Sequence, residues 1–299
     1  MEQLKECLLC KGNHLKNIIE TKDYLVSKST FTIVECSDCG FVFTNPRPAV
    51  DELGKYYLSD EYISHNDDAN SLMDSIYKLV RNYMLQRKIR WISHNSKKNP
   101  ADIKLLDYGC ATGEFLLRAK AKGMKTMGIE PDSHAREKAR LKGITVIESP
   151  DELPDNDGIM QFDAVTLWHV LEHIPDLSAK KRLLEKIVAK DGVLVVAVPE
   201  YNSFDARHYK EAWAAWDVPR HLNHFEKKSL LKMFGDSFHL EKVYPLVFDS
   251  FYVSMLTEKN LQNGFSGVIR AFMVGVWSNI LGIAGRYPFS SQVYIFRKR

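Results

Sequence analysis

Four cysteines stand in two pairs, Cys7-Leu8-Leu9-Cys10 and Cys36-Ser37-Asp38-Cys39, and each pair puts two thiols on one tight turn. Two such knuckles supply the closed tetrahedral sulfur set that structural zinc favours. The strand-like stretch 30–34 between them could bring the second pair back to the first. Four protein ligands leave no open position, so the expected metal holds the fold together rather than reacting. A redox pair, or simply small buried thiols, are the other uses of such cysteines.

A second segment runs from an apolar strand through a small-residue turn into a helix: Ile103-Lys104-Leu105-Leu106-Asp107-Tyr108-Gly109-Cys110-Ala111-Thr112-Gly113-Glu114. Gly109 and Gly113 let the backbone turn sharply and a ligand lie against it, and Cys110 and Ala111 keep the turn free of bulk. The next strand ends at Gly128-Ile129-Glu130-Pro131. A carboxylate there, roughly 20 residues beyond the turn, can accept hydrogen bonds from both hydroxyls of a ribose. The third glycine of the G-x-G-x-x-G pyrophosphate pattern is missing, and Asp107 and Glu114 would repel pyrophosphate while tolerating a cationic amino-acid group.

These groups need a frame, and the chain beyond Pro100 provides one by alternating strands with helices. Strands are expected at 103–106, 125–129, 145–147, 162–167 and 193–198, with helices at 113–122, 133–141 and 179–189. Such alternation implies a parallel sheet covered on both faces. A helix at 227–234 and strands at 240–247 and 292–296 follow. Before this frame lie a cysteine module, 1–48, closed by the turn-rich Thr44-Asn45-Pro46-Arg47-Pro48, and a helical lead-in, 49–100. The apolar segment 264–285 is interrupted by Arg270, Ser278 and Asn279, whereas a spanning helix needs roughly 20 consecutive apolar residues. Ile269, Phe272, Met273, Val276, Trp277, Ile280, Leu281 and Ala284 fall on one helical face. That face is expected to pack on the domain, with an interfacial membrane contact through 265–284 as the alternative.

Asp107-Tyr108-Gly109-Cys110-Ala111-Thr112-Gly113 resembles the first motif of class I S-adenosylmethionine-dependent methyltransferases, with Ala111 where that family usually has glycine. Glu130-Pro131-Asp132 resembles its acidic second motif. Phe162-Asp163-Ala164-Val165-Thr166-Leu167-Trp168-His169-Val170-Leu171-Glu172-His173-Ile174 resembles its fourth-strand segment, and 192–199 its fifth strand. The cysteine knuckles followed by Phe41-Val42-Phe43-Thr44-Asn45-Pro46-Arg47-Pro48 resemble those preceding some bacterial members. The resemblance implies an α/β, Rossmann-like domain over 101–299: a seven-stranded, mostly parallel sheet with its last strand antiparallel and a helical insertion at about 249–285. It also implies S-adenosylmethionine as cofactor, with Asp107, Gly109, Cys110, Ala111 and Gly113 along the methionine part, Glu130 and Pro131 at the ribose, and Trp168 and His169 beside the methyl donor. Zinc on Cys7, Cys10, Cys36 and Cys39 would then be a clamp on the fold.

Methyl transfer is an in-line displacement at a sulfonium carbon, so the protein's tasks are alignment, water exclusion and, for a weak nucleophile, removal of a proton. Trp216-Asp217-Val218-Pro219-Arg220-His221-Leu222-Asn223-His224-Phe225 follows the fifth strand, where a doubly wound sheet places its ligands. His221 and His224 are the expected bases and Arg220 a holder for an anionic group. The competing reading makes both histidines structural, and a metal role for them lacks a third ligand in the sequence. The stretch from Asp249 and Tyr252 to Gly285 is expected to cover the acceptor pocket.

The formal net charge of +3 over 299 residues is too small and too evenly mixed for a dedicated nucleic-acid binder. The start MEQLKECLLC lacks the pattern of a secretory signal, so a cytoplasmic location is expected. The expected acceptor is a small molecule or a sugar, in surface-polysaccharide or secondary-metabolite synthesis. An RNA methyltransferase gripping nucleic acid with its cysteine module, a nicotinamide-dependent oxidoreductase and a non-catalytic cofactor-binding protein are the alternatives. The modest charge argues against the first of these and the missing glycine against the second.

Overall fold

A computed structural model describes residues 1–57, 72–153 and 160–299; positions 58–71 of the expected helical lead-in lie outside the described residues. The cysteine module contributes β1 (Leu15–Lys22), β2 (Thr30–Cys36) and β3 (Val42–Thr44). A long helix, α1 (Leu72–Ser96), leads into β4 (Lys104–Tyr108), α2 (Glu114–Ala121), β5 (Lys125–Ile129), α3 (Ser133–Leu141) and β6 (Val146–Ile147). Next come β7 (Phe162–Trp168), α4 (Leu177–Ile187) and β8 (Val188–Pro199), then α5 (Phe204–Tyr209), β9 (Asn223–His224) and α6 (Lys227–Phe234). The chain closes with β10 (Phe238–Pro245), α7 (Asp249–Asn260), α8 (Gly264–Ile283) and β11 (Ser291–Lys298).

Seven strands pair in the order β10-β11-β8-β7-β4-β5-β6. The pairs β7–β8, β4–β7, β4–β5 and β5–β6 are parallel, while β11 runs antiparallel between β8 and β10. This is the expected Rossmann-like sheet with its antiparallel closing strand. Alternate residues of its central strands feed opposite faces, as a pleated strand requires. Leu106, Val165, Leu194 and Val196 join the core beneath α4 and α6, and Leu105, Ala164, Val193 and Val195 join the core beneath α1 and α2. Because both faces are covered, most of β7 and residues 193–198 of β8 are apolar and buried. β8 starts at Val188, directly at the end of α4 and earlier than the apolar spacing suggests, because Val188 already pairs with Phe162.

From β4 the chain winds outward through β5 and β6, then returns to place β7 on the other side of β4. A crevice opens beyond the carboxyl ends at such a reversal, and ligands of doubly wound sheets bind there. Everything at the ends of β4, β5 and β7 therefore faces one place.

The cysteine module does not stand apart from this frame. Its sheet has the order β1-β2-β3-β9, so its last strand is borrowed from the segment following β8. Val42 pairs with His224 and Phe43 with Asn223, and the Thr44 N–H donates to the Leu222 carbonyl at 3.0 Å. Phe31, Ile33 and Val42 pack with Trp213, Trp216, Val253 of α7 and Val274 of α8 in one cluster.

By length and composition α8 is apolar enough to cross a membrane, with a mean hydropathy of 1.4. Its orientation differs from the expectation. Gly267, Ala271, Val274, Gly275 and Ser278 face inward, whereas Phe265, Ile269, Phe272, Met273, Trp277, Ile280 and Ile283 are exposed. The small residues let the helix approach closely: a Cβ on Gly275 would lie 2.6 Å from the Phe251 ring. Ser278 is no interruption from this side, since its hydroxyl donates to the buried Asp205 carboxylate at 2.8 Å, which also accepts from Trp213 Nε1 and Ser290 Oγ.

Candidate active site

The turn between β4 and α2 takes its shape from three left-handed residues, Gly109 (φ +74°), Ala111 (φ +46°) and Gly113 (φ +75°). Gly109 is required twice over, by its backbone angle and because a Cβ there would meet the Val170 side chain at 2.6 Å. Cys110 is buried, and its Sγ fills the space that a side chain on Gly128 of β5 would need, 2.4 Å from that ideal Cβ. Cys110 therefore packs the turn against the next strand.

Glu130, at the tip of β5, leans over this turn. Its Oε2 accepts the Ala111 N–H at 2.8 Å and its Oε1 accepts the Asp132 N–H at 2.9 Å. Each carboxylate oxygen has a further lone pair for an incoming hydroxyl. Pro131 leads to Asp132, which caps α3 by accepting from the Ala135 N–H. Asp107, at the end of β4, is 3% exposed and accepts from Thr166 Oγ1 at 2.6 Å. Burial, outweighing Thr166 and Lys88 and assisted by Glu130, pushes the Asp107 carboxyl up to about 7. Burial also raises Glu130. Two desolvated carboxyls beside a bare backbone turn form a cradle for a cation that also carries a diol, and a poor one for phosphate.

β7 supplies the other wall. Trp168 packs edge-on against Phe115 of α2, with ring centroids 5.6 Å apart, and its buried Nε1 finds no acceptor among the described residues. His169 follows in a left-handed conformation (φ +55°), its N–H donating to the Ala197 carbonyl. Strain of that kind in a non-glycine residue is stored where surrounding contacts hold it. The imidazole sits between two acids, Nε2 lying 3.3 Å from Asp249 Oδ2 and Nδ1 lying 3.4 Å from Glu172 Oε1. Desolvation opposes its charge, but Asp249 and Glu172 prevail and raise it to about 9.

Two further groups enter the same crevice: Lys88, which the sequence does not flag, and Asp249, which it marks only as the start of the covering stretch. Lys88 of α1 places Nζ 4.2 Å from the centre of the Trp168 ring, and burial lowers its pKa although Asp107 and Asp249 oppose this. Asp249 opens α7, which brings the helical insertion to the crevice mouth. No local pattern marks Lys88, or Asp249 as a partner of His169, because only the packing of α1 and α7 on the sheet makes them neighbours of β4 and β7.

The expected bases sit deeper. His221 is 9% exposed, with Nδ1 2.9 Å from the Ala215 carbonyl. His224 is 5% exposed, contacts Thr44 Oγ1 at 3.2 Å and lies edge-on to Trp216, and burial holds its pKa far below the usual range. Arg220 is wholly enclosed and bound to Asp23 and Asp217, so its charge is used inside the protein.

The cysteine knuckles converge as their spacing requires. The four Sγ atoms of Cys7, Cys10, Cys36 and Cys39 lie within 4.8 Å of one another, and none is in a disulfide. The Leu9 N–H points at Cys7 Sγ and the Gly12 N–H at Cys10 Sγ, both at 3.4 Å. Backbone donors aimed at sulfur stabilise thiolates, so the set fits a tetrahedral zinc ion.

Comparison with known proteins agrees with this geometry. Over 116 residues the chain is 28% identical to a ubiquinone biosynthesis O-methyltransferase from Pseudomonas syringae pv. tomato and 29% identical to one from Pseudomonas fluorescens. Each match covers 35% of this chain and 47% of the relative, so the chain spans about half the length of the curated relatives it matches. In fold it is similar to the magnesium protoporphyrin IX methyltransferase of Synechocystis PCC 6803 with bound S-adenosylmethionine. That likeness has a TM-score of 0.50 at 12% identity and covers 85% of this chain and all of the other. A methyltransferase domain model matches residues 64–241, more than half of the sequence, across the turn, Glu130 and the β7 wall. The chain thus belongs to the methyltransferase domain family and carries its class I, Rossmann-like fold.

Proposed function

We propose that the chain transfers a methyl group from S-adenosylmethionine to a small-molecule or sugar acceptor. One observation carries the reading: Asp107 and Glu130, two buried carboxyls at the carboxyl ends of neighbouring parallel strands, flank a turn free of side-chain bulk. When bound, S-adenosylmethionine supplies an electrophilic methyl group on a sulfonium. Asp107 and the backbone of Gly109–Gly113 would hold its amino-acid end, Glu130 its ribose hydroxyls, and Trp168 with His169 would border the reacting methyl. Closure of the crevice by α7 keeps water from the electrophile.

His169 and Asp249 are the pair best placed to handle the acceptor. The side chains are 37% and 27% exposed, whereas His221 and His224 are enclosed. His169 donates a hydrogen bond that orients the acceptor oxygen, and Asp249 receives its proton. The modest net charge and the relatives named for ubiquinone biosynthesis both favour a small acceptor over nucleic acid. Zinc on the four cysteines would stiffen the module that packs against α7 and α8, and the outward apolar face of α8 is suited to an interfacial contact with a membrane.

Titration calorimetry with S-adenosylmethionine and with NAD tests the reading directly. Binding of S-adenosylmethionine with micromolar affinity and none of NAD is expected; preference for NAD overturns it.

A further inference from the structure

Next to the crevice lies a second polar cluster, joined to the first only where Glu172 meets His169. Glu172 is 1% exposed, and neither of its carboxylate oxygens accepts a hydrogen bond among the described residues. A carboxylate oxygen of Glu172 and one ring nitrogen each from His173 and His221 lie within 4.8 Å of one another. The two imidazoles cross at 79° with centroids 4.7 Å apart.

The tautomers follow from their partners. A backbone carbonyl only accepts, so His221 Nδ1, 2.9 Å from the Ala215 oxygen, carries a proton. So does His173 Nδ1, 3.1 Å from the Arg220 oxygen and 3.0 Å from the Tyr57 hydroxyl. A neutral imidazole protonated on Nδ1 keeps its lone pair on Nε2. Carbonyl anchoring of one ring nitrogen is also how metal-bound histidines are oriented. Three lone-pair groups thus share a buried space, and the positive groups beside it are engaged with other acids as well. The Arg220 guanidinium is committed to Asp23 and Asp217, and His169 Nδ1, 3.4 Å from Glu172, makes an ion-pair contact without hydrogen-bond alignment. One imidazole shared between Asp249 and Glu172 leaves both Glu172 oxygens without a hydrogen bond among the described residues, and a further cation would satisfy them.

We propose that Glu172, His173 and His221 form a metal site distinct from the cysteine set, taking a borderline divalent cation such as zinc, cobalt or iron(II). Two imidazoles and one carboxylate are the ligand set those ions favour. Three protein ligands leave a position for water. The ion would join the turn after β7, which carries Glu172 and His173, to the segment that completes the cysteine module's sheet. Those two segments already touch, since the Leu222 N–H donates to the Glu172 carbonyl at 2.8 Å. A third ligand for His221 is invisible in the sequence because it comes from the far side of β8.

Cobalt loading decides the matter without reference to activity. The full chain is stripped with chelator, loaded with Co²⁺ and freed of loose ion by gel filtration; retained metal is then counted by mass spectrometry and read by absorbance. Cobalt on thiolates shows intense near-ultraviolet charge transfer, whereas cobalt on nitrogen and oxygen shows only weak visible bands. The wild-type chain should retain an ion beyond those on thiolate, and a Cys7→Ser, Cys10→Ser chain should keep it with no charge-transfer band. Glu172→Gln and His221→Ala should lose it. The proposal is overturned if all cobalt retained by the wild-type chain is thiolate-bound, a result that needs no variant to fold, or if both of those variants keep the second ion.

Discussion

Glu130 holds the glycine turn open from the neighbouring strand: its Oε2 accepts the N–H of Ala111, at 2.8 Å, where the backbone is left-handed. One carboxylate thus braces the turn and points into the crevice. Glu130→Ala should weaken S-adenosylmethionine binding by roughly 10- to 100-fold, the loss expected for hydrogen bonds to a charged group. Calorimetry reads this directly, and unchanged affinity would remove Glu130 from the ribose site.

Ala111 itself offers a second test. A non-glycine residue in the left-handed region costs about 1–2 kcal/mol, part of which glycine recovers before its own chain entropy counts against it. Ala111→Gly should leave thermal stability level or slightly raised, with cofactor binding kept, while Ala111→Val should abolish binding. A clear loss of stability in the glycine variant, read by calorimetric melting, would show that the φ of +46° is not strained.

Asp107 makes the stability of the free protein depend on pH. Its folded pKa of about 7 exceeds the ordinary value of 3.8, so the folded state binds the proton more tightly than the unfolded chain does. That contribution is complete below the unfolded value and is lost as pH rises towards 7. The wild-type melting temperature should therefore fall between pH 5 and pH 8 by more than that of Asp107→Asn, roughly 2–4 °C for each kcal/mol involved. A cationic ligand favours the ionised carboxylate, so saturating S-adenosylmethionine should flatten the difference. Parallel pH slopes with and without the substitution would show that Asp107 titrates normally.

The parts of this site that can be read in the sequence are those built from one stretch of chain. β4, its turn and α2 are contiguous, and Glu130 follows after one helix, so strand, glycine spacing and carboxylate together locate half of the crevice. Lys88 is absent from that reading, and Asp249 enters it only as the start of the covering stretch and not as a partner of His169, because each reaches the crevice from a helix whose own residues carry no pattern. β9 is two residues long, too short for periodicity, and its pairing with β3, extended by the Thr44 N–H bond to the Leu222 carbonyl, joins segments about 180 residues apart. On α8 the apolar spacing is real but names the wrong face. Burial there follows close packing of Gly267, Ala271 and Gly275, a signal that hydrophobicity does not contain.

Asp249 joins the helical insertion to the end of β7 through its 3.3 Å contact with His169. If the carboxylate receives the acceptor's proton, Asp249→Asn should lower kcat by roughly 10²- to 10⁴-fold, the range of general acid–base contributions, with little change in S-adenosylmethionine affinity. His221→Ala should keep its cofactor affinity as well. Equal turnover by wild-type and Asp249→Asn chains on an identified acceptor would leave the pair without a role in proton transfer.

The outward face of α8 makes the last prediction. Phe265 and Ile283 are each 79% exposed and Phe272 is 62% exposed, a continuous apolar surface larger than isolated surface residues provide. Lys259, Arg270 and Arg286 are exposed before, within and after α8, Arg270 lying 3.6 Å from Glu258, and this positive charge suits a bilayer carrying anionic lipid. The protein should sediment with vesicles containing phosphatidylglycerol, more weakly with purely zwitterionic ones. Trp277, half-exposed on the same face, should shift its emission to shorter wavelength on binding. Replacing Phe265, Phe272 and Ile283 by Glu should end sedimentation while leaving the buried Gly267–Ser278 side, and hence the fold measured by circular dichroism, intact. If the triple variant sediments as well as the wild type, this face is not the membrane contact; the surface then calls for an apolar protein partner, which the concentration dependence of the wild-type mass in solution would reveal for a second copy.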